Sequence, residues 1–139
     1  MNADAPRVEE LDTRSRIMLR EWLGDATRLG IDLDSPDSIE RAYERYVDEV
    51  LATPEEERVD PTPTLTAIAI AMGEYIRRNS DAEWRIVTDE QGRDLALSTA
   101  HETQILFPID PVADSWAAQA RGWLVEFVRA AIQMFKDGR

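Results

Sequence analysis

"TLTAIAIAMGEYIRR", residues 64–78, can be read in two ways, and the fold turns on which is right. Thr64 to Ala71 alternate with the period of two of a half-buried strand, while the longer run through Tyr75 and Ile76 repeats with the period of a helix. Alanine is the best helix former and is depleted in strands. Pro63 suits a helix start, and an apolar run from there to Ile76 is too long for a typical strand. The segment therefore predicts a helix. Hardly a polar side chain precedes Glu74, so this helix is expected at the centre of the domain.

Downstream the period changes. "EWRIVTDEQGRDLALS", residues 83–98, predicts a hairpin in which Gly92 takes a left-handed conformation at the end of the loop Asp89 to Gly92. With Thr88 opposite Arg93, Ile86 faces Leu95 and Trp84 faces Leu97, giving one wholly apolar face that a slip of one residue would split. "QILF" at 104–107 supplies a third strand of a meander, which needs helices on one face to be stable.

Upstream, helical spacing of Ile17 or Met18, Trp22, Leu23, Ala26 and Leu29 predicts a helix from Thr13 to Leu29, stopped by Gly30. A second begins at "DSPDSIE", with Ser35 as cap and Pro36 in the first turn, and buries Ile39, Ala42, Tyr43, Tyr46, Val47, Val50 and Leu51. Its other face alternates charge, with Arg41 near Glu44 and Arg45 near Asp48 or Glu49, as on a solvated surface. Residues 52–63, "ATPEEERVDPTP", form an acidic, proline-rich connection with room for one capped turn.

A last helix is expected from Pro111 to about Lys136. Leu124, Val125, Phe127, Val128, Ala131, Ile132, Met134 and Phe135 sweep about two thirds of its circumference at about 100° per residue. An arc that wide needs cover on two sides, from the domain itself or from another chain, which makes Leu124, Val128, Ile132 and Phe135 candidates for a partner surface.

"ILFPIDPVADSW", residues 105–116, looks at first like a carboxylate site. Its chemistry is explained more simply by a helix start: Asp110 as N-cap, Pro111 in the first position, Asp114 in the first turn, and Pro108 ending the strand. His101, the one histidine, could join Glu102, Asp110 and Asp114 around a divalent ion, but "HETQI" lacks the second histidine of the zinc motif HExxH. Glu74 would be a candidate general acid if desolvated. Arg77 and Arg78, three and four residues on, make a surface ion pair the simpler account.

The rest of the sequence excludes rather than suggests. The 139 residues suffice for one domain with a real core, and the absence of cysteine removes disulfides, thiolate chemistry and the common zinc sites. With 28 acidic against 16 basic residues the net charge is −12, which repels phosphate and anionic lipid. Lys136 is the one lysine among the basic residues, which fits a GC-rich coding genome or, given the acidity, a halophile. The apolar run Ala67 to Gly73 is far short of the roughly 20 residues of a membrane span. No serine lies in a GxSxG context, "EQGRD" holds one glycine and so no phosphate-cradling loop, and of the four tryptophans Trp116 and Trp123, seven apart on one helix, look like core and not like a nucleic-acid stacking platform. No cofactor is expected.

At "MGEYI", "EWRIVTDEQGRDLAL" and "ILFPIDPVADSW" the chain resembles a bacterial family, common in actinobacteria, known as domain of unknown function 3806. The resemblance rests on Gly73-Glu74 at a helix end, Trp84 opening a strand, Asp89 and Gly92 at a turn, and Pro108 before a helix. It implies the helix at 64–78 and the meander, and assigns no catalytic residue.

The expectation is a flexible N-terminus over 1–12 followed by a single α+β domain over 13–139, with three N-terminal helices, a three-stranded antiparallel meander and a long C-terminal helix packed on the sheet. The function expected is that of a small acidic cytoplasmic protein that interacts or regulates without catalysis, through a protein partner or a homodimer, with no nucleic acid and no membrane. The alternatives are a hydrolase or metal-dependent enzyme using His101 with Glu102, Asp110 or Glu74, and, third, an acidic mimic of nucleic acid.

Overall fold

The computed structural model describes residues 7–99 and 104–137. Within them the order is β1 (Arg7–Glu9), α1 (Thr13–Arg28), α2 (Pro36–Ala52), a single 3-10 turn (Glu55–Glu57), α3 (Thr62–Arg78), β2 (Glu83–Asp89), β3 (Gly92–Ser98), β4 (Ile105–Leu106), α4 (Ile109–Ala118) and α5 (Leu124–Asp137). The class is α+β, with an antiparallel sheet in the order β1-β2-β3-β4.

α3 is helical and central, as its alanine-rich run requires. Leu65 and every residue from Ala67 to Glu74 are buried, as is Ile76, and Pro63 sits in the first turn. The hairpin takes the expected register, with Trp84 opposite Leu97, Ile86 opposite Leu95 and Thr88 opposite Arg93. Gly92, at φ 127°, holds the conformation that lets the turn close. α2 is capped by Ser35, whose hydroxyl accepts the Ser38 N–H, and buries Ile39, Ala42, Tyr43 and Val47. α1 is capped by Asp12, which accepts the Ser15 N–H at 2.8 Å and also pairs with Arg93 at 2.8 Å, tying the helix to β3. That pairing with Arg93 holds the Asp12 carboxyl well below the usual carboxylate range.

The structure departs from the sequence expectation in several places. Residues 7–9, placed in the flexible N-terminus, form an edge strand on β2, with Val8 opposite Val87, so the sheet has four strands and not three. Ile17 and Met18 are exposed, and α1 turns Ser15 and Ala26 inward. Tyr46 and Val50 are only half-buried and Leu51 lies exposed. Burial in the hairpin is not confined to one face, since Val87, Ala96 and Ser98 are also covered.

The largest departure is the last helix, which is two helices. Gln119 adopts a left-handed φ of 53° and Gly122 a φ of 70°, and the Ala120 N–H donates back to the Ser115 carbonyl, a helix-ending pattern. Ile109 begins α4, Pro108 stands at its N-cap and no side chain caps it, so Asp110 lies in the first turn and is not the cap. After the break α5 packs against α2 and α3, while the sheet's apolar face receives α1 and α3 through Trp22 and Gly73. One hydrophobic core runs through all five helices and the hairpin.

Candidate functional site

Two arrangements concentrate polar chemistry among the described residues. The first lies at the C-terminal end of α3. Gly73 has no side chain, and a Cβ there would stand 2.4 Å from the Trp84 ring and 3.0 Å from Pro108. That bare backbone lets the outer edge of the Trp84 indole close on the helix and bring its N–H to the neighbouring residue. Trp84 Nε1 donates to Glu74 Oε1 at 3.0 Å. Arg77 donates to both oxygens, Nε to Oε1 at 2.9 Å and Nη2 to Oε2 at 3.0 Å, and Arg78 Nε donates to Oε2 at 3.0 Å. Four charge-assisted or indole bonds therefore converge on one carboxylate that is 5% exposed.

The ion pair expected from the i+3 and i+4 spacing exists, with its carboxylate buried and its two guanidinium groups reaching the surface. Burial alone would raise the Glu74 pKa. The hydrogen bonds from Arg77, Trp84 and Arg78, with the charge of Arg77, outweigh it and hold the carboxyl below its ordinary value. A general acid needs the opposite shift. Four donors and a lowered pKa suit Glu74 to an ionised, structural role and give no support to proton donation.

The second arrangement joins α2 to the segment between α4 and α5. Glu40, Glu44 and Asp48 recur every four residues along one stripe of α2. Glu44 accepts the Gly122 N–H at 2.7 Å, Glu40 accepts the Leu124 and Val125 N–H groups at 3.1 and 3.4 Å, and Asp48 pairs with Arg121. Glu40 therefore caps α5 from another helix, supplying an anion where the exposed N–H groups and the helix dipole favour one. The local pairs expected along α2 are replaced by these long-range ones, and Arg45 reaches the Leu29 carbonyl instead. Beneath the stripe, Tyr46 stacks on Trp116 at 5.1 Å, and Tyr43 meets Trp116 and Trp123 edge-on at 6.5 and 5.4 Å.

The other candidate residues scatter. His101 and Glu102 lie outside the described residues. Asp110 and Asp114 are exposed on α4, and the pKa of Asp110 is raised by partial desolvation of its carboxyl and by the charges of Asp114 and Asp94. Among the described residues no group of three or more Asp, Glu or His is placed to hold a metal ion. Of the partner-surface candidates, Leu124, Val128 and Phe135 are fully buried inside the chain, so the wide arc of α5 is largely spent on the domain's own core; Ile132 is half-buried. No described helix is long and apolar enough to cross a membrane.

A family model described as a domain of unknown function (DUF3806) matches residues 43–127. The chain belongs to that family. The match spans both arrangements almost entirely, from Tyr43 through Glu74 and Trp84 to Trp123, and leaves β1 and α1 outside. Gly73, Glu74, Trp84 and Pro108, four of the six residues that carried the family resemblance, thus meet as one packed unit, with Asp89 and Gly92 apart at the hairpin turn. No curated protein and no solved structure matches the chain.

Neither arrangement was fully legible in sequence. Glu40 and Glu44 carried only the signal of a charged helix face, and the segment they hold is roughly 80 residues away.

Proposed function

We propose that this chain is a binding module without chemistry of its own, and that it holds a segment of another protein in a groove between α2, the 53–61 connection and α4. The observation that supports this is the exposure of Val59 (79%) and Leu51 (46%) at the mouth of that groove, over a floor of Val47, Val50 and Trp116. Its volume is about 200 Å³, room for one or two apolar side chains. Apolar surface left open beside a stacked aromatic pair is a feature of interaction sites.

The rim selects the partner. Arg58 is the one charged residue lining the groove itself, Glu49 and Glu57 line the depression beside it, and Glu55, Glu56 and Asp60 lie in the same connection, so the surroundings are acidic on balance. An apolar side chain between lysines or arginines complements this pattern. A second copy of the chain would bring two acidic rims together, and a nucleic acid or anionic membrane would bring phosphates to them. A homodimer through this face, nucleic acid and membrane are accordingly the less favoured occupants. A cytoplasmic location goes with this reading, and fractionation of cells expressing the chain tests it.

Binding is tested with an array of peptides carrying one leucine, phenylalanine or tryptophan flanked by basic, neutral or acidic residues, probed with the wild type and with Val59→Asp and Leu51→Asp. Basic-flanked peptides that bind the wild type, weaken with added salt and are lost in both variants support the proposal. An array on which the three proteins behave alike would sink it.

A further inference from the structure

A cavity of about 330 Å³ opens beside Glu74, between α1 and the start of β2. Trp84, Glu74 and Arg77 line it as a closed unit, in which the carboxylate is already answered by four donors. One wall is apolar, formed by the half-buried Leu11, Leu19 and Leu23.

Two further guanidinium groups, of Arg16 and Arg85, belong to the lining. Arg16 Nε donates to the Leu11 carbonyl at 3.1 Å and Arg85 Nη1 to the Trp84 carbonyl at 2.9 Å. Each is thereby steered by one bond, with the remainder of its fork uncommitted. Among the described residues neither forms an ion pair, although acidic residues outnumber basic ones in the chain by 28 to 16. A steered fork with open N–H groups matches a planar carboxylate.

Charge and size narrow the ligand. Arg16, Arg77 and Arg85 are balanced by Glu10, Glu74 and Glu83 in the lining, which disfavours a polyanion and admits one carboxylate with or without an ammonium group. The volume is at the low end of the roughly 300–1,000 Å³ of ligand pockets. We propose that this cavity binds a small carboxylate with an apolar tail, the size of a branched-chain amino acid or its deaminated acid, with Arg16 and Arg85 on the carboxylate and the leucines on the tail. The site is separate from the groove and does not depend on it.

The test is an NMR titration of the full chain, following the Trp84 indole N–H and the Arg85 Nε–H. The probes are L-leucine, 4-methylpentanoate, which lacks the ammonium, and isopentylamine, which lacks the carboxylate. A saturable shift of both resonances with either carboxylate and none with the amine is expected. Arg16→Gln and Arg85→Gln, which leave the Glu74 unit intact, should each weaken binding by about tenfold while the rest of the spectrum stays unchanged. A stronger response to L-leucine than to 4-methylpentanoate would add Glu10 or Glu83 as the ammonium acceptor. No saturable shift from either carboxylate at tens of millimolar, an equal response to the amine, or unchanged affinity in both variants would overturn the proposal.

Discussion

Glu74 and Glu40 are both carboxylates that fasten distant parts of the chain, and their surroundings are opposite. Glu74 is nearly inaccessible and receives side-chain donors from α3 and β2, packed under a tryptophan that fits only because residue 73 is glycine. Glu40 is half-buried and receives backbone N–H groups at the start of α5, in line with Glu44 and Asp48 along an open helix face. In the first region every atom is determined by its neighbours. In the second, the carboxylates hold a turn at the surface, and the same helix runs on toward Val50 and Leu51, where nothing among the described residues closes over the groove. The contrast separates the part of the molecule that fixes the fold from the part with surface left to offer.

The sharpest way to break this contrast is Gly73→Ala. A methyl group there collides with a ring that cannot swing away without losing its bond to Glu74. Overpacking and the lost bond outweigh the gain in helix propensity, for a net cost of about 3 kcal/mol and a fall in Tm of roughly 10 °C. Thermal unfolding followed by circular dichroism measures it. A loss under about 1 kcal/mol would mean that the Trp84 packing is looser than its geometry implies.

Glu74→Gln comes next. The amide keeps the shape but removes the charge that three of its four donors face, at a cost of about 2 kcal/mol at neutral pH. Because the folded pKa of Glu74 is depressed, its stabilisation is fully present above the unfolded value of roughly 4.3 and is lost as pH falls through the lower folded value. Urea unfolding of wild type and variant should therefore converge in acid. Curves that stay parallel through that range would contradict the depressed pKa.

Glu40→Ala removes a cap, and a smaller loss of about 1 kcal/mol is expected, with Glu40→Gln milder because one acceptor remains. Amide exchange localises the effect: Leu124 and Val125 should lose protection while the hairpin keeps its own. Protection lost throughout the chain would show that the α5 cap belongs to the same cooperative unit as the Glu74 region.

What could be read from the sequence follows the range of the determining contacts. The register of the hairpin, the Ser35 cap and the helicity of 64–78 are decided by neighbours within a few residues, and each took the expected form. β1 is three residues long, has no period of its own, and exists because β2 offers it an edge. The break after Ala118 had only Gly122 as a local signal against apolar spacing on both sides, and its geometry is fixed by Glu40 and Glu44 on another helix. Glu74 was correctly paired with Arg77 and Arg78, since helix geometry sets that spacing. Its burial was missed because the covering residue, Trp84, arrives from the next element. Arg16 and Arg85 gave no sign at all, as an arginine without an ion pair is visible only in three dimensions.

The smallest effect on stability is expected at Val59, and it tests the open end of the comparison. Val59 is 79% exposed, so Val59→Asp removes little packing and adds one charge to an already acidic connection. The change should lie within about 0.5 kcal/mol of wild type by urea unfolding, with an unaltered dependence on denaturant. If instead it costs more than about 1 kcal/mol, the 53–61 connection folds down over Val47 and Trp116 in solution, and the groove is part of the core. The open surface would then vanish, and the molecule would be as closed along α2 as it is around Glu74.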